Sequence, residues 1–172
     1  MTAPELTRVG PRKIADERTM LDEWLEFHRA TLLRKCAGLT DEQLRRRSCP
    51  PSTLSLLGLV RHMTEVERGW FLRGVTGNSR EQVPPLYYSD ENPDGDFDDV
   101  DSADPGATFA TYRQACADIR AAVADASLDD LLRDGDERCS VRWVYLHMIE
   151  EYARHNGHAD LLRERIDGAT GA

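Results

Sequence analysis

Lysine is nearly missing from this 172-residue chain: Lys13 and Lys35 stand against twenty arginines. The acids outnumber all basic residues, 31 to 22, for a formal charge of −9. A phosphate backbone is bound through clustered cations, so this balance argues against nucleic acid as a partner, and equally against an anionic membrane surface. Isoleucine is also scarce, at four, beside abundant Ala, Asp, Gly and Arg. That bias points to a GC-rich genome, and an actinobacterial source is expected. No apolar run approaches the roughly 20 residues needed to span a bilayer. The opening twenty residues lack the apolar core of a secretory leader. The expected location is cytoplasmic.

The four cysteines, Cys36, Cys49, Cys116 and Cys139, never form a CxxC pair. They are expected to be reduced packing thiols rather than disulfides or zinc ligands. There is no P-loop, no dinucleotide fingerprint and no Ser-His-Asp arrangement. Alternating strand patterns are almost absent.

What remains is helical periodicity. Met20, Leu21, Trp24, Leu25, Leu32 and Leu33 predict a first helix from about Asp16 to Cys36, stopped near Gly38. "LTDEQL" is a capping box, Thr40 with Gln43, for a short helix. "SLLGLVRHMTEVERGWFLRGV" predicts a second long helix over 55–75. The pattern stops from Asn78 to Pro105. A third helix is expected over about 106–126, then a turn capped by Ser127, then a long helix from Ser140 to about Asp167 with Gly168 as its stop. These elements predict an all-α fold. One domain spans residues 1–172, a four-helix bundle with one long crossover between its second and third long helices.

The last helix carries the chemistry. In "HMIEEYARHNGHADLLRE", His147, Glu151, His155 and His158 follow one another at three or four residues. Residues four apart differ by about 40° around a helix axis, so Glu151 and His155 project side by side. Apolar Val144, Met148, Tyr152, Ala159 and Leu162 flank this stripe. Glu and His near an apolar face are costly unless paired or bound to a metal. A third ligand must come from another helix, and His62, between Val60 and Val66, has the right surroundings. His28 is less suited. Two imidazoles and one carboxylate form a zinc set that keeps a position open, and nickel or iron accept the same donors. The alternative is that these are ordinary polar or core residues.

"LVRHMTEVERGWF" and "HMIEEYARHNGHADLLRE" resemble the DinB-like metal-binding four-helix bundles, and most closely their mini-circle protein branch. The family offers one His from the second helix and a His-x-x-x-His pair from the last. On that resemblance His62 is the lone His, His155 the second of the pair, and Glu151 stands in for the first. The set is similar to the His-Glu-His zinc site of the mycothiol-dependent maleylpyruvate isomerases. Glu150 competes with Glu151, and the spacing to His155 favours Glu151.

The resemblance implies a metal-dependent enzyme, a thiol S-transferase or thiol-dependent isomerase. A low-molecular-weight thiol such as mycothiol would be the cosubstrate and a small electrophile the acceptor. His158, a turn beyond His155, is the candidate proton relay. The competing expectation is a non-catalytic metal-binding or stress-response bundle. A homodimer is compatible with either.

The acidic stretch from Asp90 to Asp104 holds eight carboxylates and no Lys or Arg. It is expected to be a solvated crossover, or else a lip over the metal cavity, and to add little stability. Asp90, Asn92, Asp94, Gly95 and Asp101 match part of a calcium loop, but Pro93 interrupts it and no helix precedes it. Arg61, Arg73, Arg142 and Arg154 could meet an anionic substrate, but each is expected to face solvent.

Overall fold

The computed structural model describes residues 8–134 and 137–171. The expected lack of a leader rests partly on residues 1–7, which lie outside the described residues. Six α-helices carry the fold: α1 (Glu17–Cys36), α2 (Asp41–Arg45), α3 (Leu56–Glu67), α4 (Gly95–Asp98), α5 (Pro105–Ala122) and α6 (Val141–Asp167). The all-α expectation holds at that level. Capping chemistry starts the long helices. Asp16 accepts from the Thr19 amide, Ser55 from Gly58, Asp104 from Ala107 ahead of Pro105, and Ser140 from Trp143. Each bond satisfies a backbone donor that the first turn leaves orphaned. Thr40 and Gln43 close the capping box of α2. Gly168, at φ 77°, ends α6 in the left-handed region.

α1 packs along α6 and α3 along α5, while α3 also touches α1 and α6. Leu25, Leu32, Leu56, Leu57, Met63 and Met148 fill the space between them.

The structure departs from expectation in three places. The second long helix is α-helical only to Glu67 and continues as a π-helix over Arg68–Val75. Gly69 and Gly74 lie in that segment, where a weaker helical preference eases the wider turn. A short hairpin, β1 (Leu131–Asp134) with β2 (Glu137–Ser140), precedes α6, with Leu131 opposite Ser140. Strands of four residues are too short for an alternating pattern to register.

The third departure is the acidic crossover, which is not simply solvated. It folds into α4 and a single 3-10 turn (Asp99–Ser102), with Gly95, Asp96 and Val100 buried. The expected repulsion is relieved by arginines from other segments: Arg47 pairs with Asp101 and Arg80 with Asp90. Arg61 is buried rather than solvent-facing, and it donates to the carbonyls of Gly95 and Asp96 at 2.9 Å each.

One polar network runs through the core. Glu67 has no solvent exposure. It accepts from Arg29 Nε at 2.6 Å and Nη2 at 2.5 Å, and from the Tyr152 hydroxyl at 2.7 Å. Tyr112 lies 2.7 Å behind Tyr152, hydroxyl to hydroxyl. Burial first, then the Glu67 charge, pushes the Tyr152 phenol well above its usual range, so it stays a donor. The network joins α1, α3, α5 and α6. Removing one partner of a buried pair strands the other charge, so Glu67→Leu should cost about 3–5 kcal/mol. Combining it with Arg29→Met should recover much of that loss. Urea denaturation of both single variants and the double variant checks this, and additive losses would refute the coupling.

Candidate metal centre

α3 and α6 bring His62, Glu151 and His155 together. One ligand atom from each lies within 4.8 Å of the other two. His155 Nε2 lies 3.4 Å from Glu151 Oε2. The imidazole rings of His62 and His155 meet edge-on with centroids 4.8 Å apart. A tetrahedral zinc with bonds near 2.0–2.1 Å spaces its donors by about 3.4 Å, so the set fits such an ion after small side-chain movements.

The other ring nitrogens are already engaged. His62 Nδ1 lies 2.7 Å from Asp96 Oδ2. His155 Nδ1 lies 3.3 Å from His158 Nδ1. In both rings Nε2 is therefore the nitrogen left for an ion. Burial, followed by the neighbouring His62 and His158, pushes the His155 imidazole down to about 4. It is thus neutral at physiological pH, as a ligand must be.

The two adjacent glutamates are told apart by position. Glu150 is half-exposed and bonded to Arg154, whose Nη1 also comes within 3.5 Å of Glu151 Oε1. Glu151 is 14% exposed and belongs to the convergent set. It also falls within 4.8 Å of His147 and Glu150, a second grouping confined to one helix. His147 stacks on Trp143 at 4.8 Å and 9°, with Trp70 edge-on at 4.8 Å. His28 is apart from the centre, beside Asn156.

A cavity of about 550 Å³ opens beside His62. Val66, Gly69, Trp70, Arg73 and Gly74 supply one wall, largely from the π-helix, and Tyr88, Pro93 and Asp96 supply another. The volume suits a small-molecule ligand. Phe71 and Tyr152, aromatic neighbours in sequence, are core residues and do not face it.

The family model for mycothiol-S-transferase matches residues 20–168. The chain belongs to this DinB-like family. The matched span takes in α3, α5 and α6, all but the first turn of α1, and every residue of the centre. No curated protein matches the chain.

Sequence reasoning missed Asp96 and its neighbour Phe97, whose ring stacks on His62 at 5.0 Å and 30°. Among eight carboxylates nothing in the spacing singles out Asp96. The one available signal was that Phe97, the sole aromatic of the acidic stretch, follows it.

The cysteines stand apart from the centre. Burial pushes the thiols of Cys36 and Cys116 up to about 12. Only the thiolate is nucleophilic, so at pH 8 both should resist a maleimide in the folded protein and react once it is unfolded in guanidinium. Mass spectrometry of the labelled peptides checks this. Fast native labelling at either position would contradict it.

Proposed function

We propose that the chain is a single four-helix-bundle domain, and that it is a metal-dependent thiol S-transferase that uses mycothiol or a similar thiol. The observation that carries this reading is the convergence of His62, Glu151 and His155, with His62 also lining the 550 Å³ cavity, in a chain of the mycothiol-S-transferase family. Three protein donors leave a position free for a small ligand. An ion held there, zinc by preference with nickel or iron as alternatives, would lower the pKa of a bound thiol.

The chain's own residues do the rest. The cavity walls hold the thiol's non-reacting part, and Trp70 and Tyr88 offer apolar faces to it. His158 is half-buried and outside the ligand set, and its Nε2 is the ring nitrogen not facing His155. We propose His158, on the far side of the His155 ring from the ion site, as the relay that finally takes the proton released from sulfur. The sulfur lone pair then forms a C–S bond to the electrophilic carbon, and the leaving group departs with its bonding pair. His158 also backs the His155 ring, so its loss should reduce reactivity more than metal content.

Elemental analysis and mycothiol consumption with an alkyl-halide electrophile test the reading on the same preparations. His62→Ala and His155→Ala should each lose the metal and the turnover. Glu151→Gln should lose less metal, since an amide oxygen still coordinates weakly. His28→Ala should keep both. A wild type that never binds zinc, nickel or iron, or a His62→Ala variant that keeps a full equivalent, defeats the proposal.

A further inference from the structure

We infer that Asp96 is a positioning residue of the centre: its carboxylate holds the proton of His62 on Nδ1 and so aims the lone pair of Nε2 at the ion site. This rests on the metal reading above. It gives the acidic crossover a role in the centre that neither its composition nor its spacing discloses.

The geometry is specific. Asp96 Oδ2 is 2.7 Å from His62 Nδ1, and the side chain of Asp96 is 7% exposed. A neutral imidazole carries one N–H, and a carboxylate can only accept. The proton is therefore held on Nδ1, and Nε2 is left as an acceptor. A carboxylate behind a ligating imidazole also makes that ligand more basic. Phe97 stacks on the same ring and limits its rotation.

Asp96 is itself fixed from two sides. Its Oδ1 accepts from the Phe97 amide at 3.0 Å. Arg61, the residue before His62, grips the Asp96 and Gly95 carbonyls. One turn on, Glu65 Oε1 accepts from the amides of Leu86 and Tyr87 at 2.5 and 2.6 Å. Arg61, His62 and Glu65 therefore clamp the crossover along α3. The close fit needs two glycines. A Cβ on Gly95 would meet the Tyr87 carbonyl oxygen at 2.4 Å, and one on Gly58 would meet the Phe97 ring at 2.8 Å. A merely solvated loop has no need of such an approach. Seven other carboxylates lie in the stretch, and none of them touches a ring of the centre among the described contacts.

Two measurements on the full chain test this. The first is zinc affinity by competition with a chromophoric chelator. Asp96→Ala should weaken zinc by about 10–100-fold, the usual effect of removing such a partner. Asp96→Asn, which keeps a neutral oxygen acceptor, should fall between, and Asp98→Asn, an equal charge loss at an exposed site of the same turn, should change nothing. The second is the tautomer of His62 in the metal-free protein at pH 8, read from long-range ¹H–¹⁵N spectra. Wild type should show Nδ1–H, and Asp96→Ala should move toward Nε2–H. A merely structural loss would not follow this tautomer. Should Asp96→Ala fail to fold, the wild-type spectrum still decides, because Nε2–H there overturns the inference. Unchanged zinc affinity in folded Asp96→Ala overturns it as well. A wild type that takes up no divalent metal overturns the metal reading and this inference together, whereas normal uptake without dependence on Asp96 overturns the inference alone.

Discussion

Glu67 carries a carboxylate with no path to water; its Oε1 accepts from Arg29 of α1 and from the Tyr152 hydroxyl of α6, and its Oε2 accepts from Arg29. A buried charge of this kind tolerates little displacement, because a lost partner leaves its full desolvation cost uncovered. Its bond to the Tyr152 hydroxyl therefore fixes both the rotation of α6 and its height against α3. Glu151 is the residue next to Tyr152, about 100° around the helix. His62 lies five residues before Glu67 on α3. Holding Glu67 and Tyr152 inward turns Glu151, His155 and His62 toward one another on the adjoining side. The centre is in this sense a consequence of the network. Its three donors converge because two helices are pinned elsewhere.

The π-helix after Glu67 extends this logic. An α-helix continued to Val75 would keep its side chains on the tight 3.6-residue rhythm. The wider turn moves Trp70 and Arg73 off that rhythm, and together with Gly69 and Gly74 they become cavity wall. The helix is thus regular where it carries His62 and irregular where it lines the cavity. The hairpin closes the far side, with buried Leu132 against Gly74.

Much of this was legible in the chain, because periodicity and capping are local. The long helices follow from apolar spacing, and Asp16, Thr40, Ser55, Ser140 and Gly168 fall where their side-chain or backbone chemistry requires. The juxtaposition of His62 with Glu151 and His155 was legible too, since an i, i+4 pair needs a third donor and few residues qualified. Asp96 was not. Its place depends on Arg61 reaching across to two carbonyls, a contact between segments 34 and 35 residues apart. Arg61 itself looked like a solvent-facing charge, since an arginine in a helix usually is one. The core network was invisible for the same reason. Arg29, Glu67, Tyr112 and Tyr152 are spread over four helices, and only packing brings them together.

The two polar clusters differ in what they leave unmatched. Around Glu67 each contact pairs a donor with an acceptor: guanidinium with carboxylate, hydroxyl with carboxylate, hydroxyl with hydroxyl. Around His62 the accounting fails without a further group. Asp96 takes the proton side of the His62 ring, so Nε2 offers a lone pair. Glu151 offers only acceptors. His155 is held neutral by burial and adjacent imidazoles, and it can bring one proton at most, to either His158 or Glu151. Lone pairs that meet across less than 5 Å in a partly buried site repel unless a positive charge stands near them. The Arg154 guanidinium, 3.5 Å from Glu151 Oε1, meets part of that need from outside the set, while the pressure on His155 runs against protonation. Arg154 does not reach the imidazole lone pairs in any described contact, whereas a divalent cation between the three donors would answer all of them without a proton, and this asymmetry with the self-sufficient Glu67 network is a physical reason to look for a metal here.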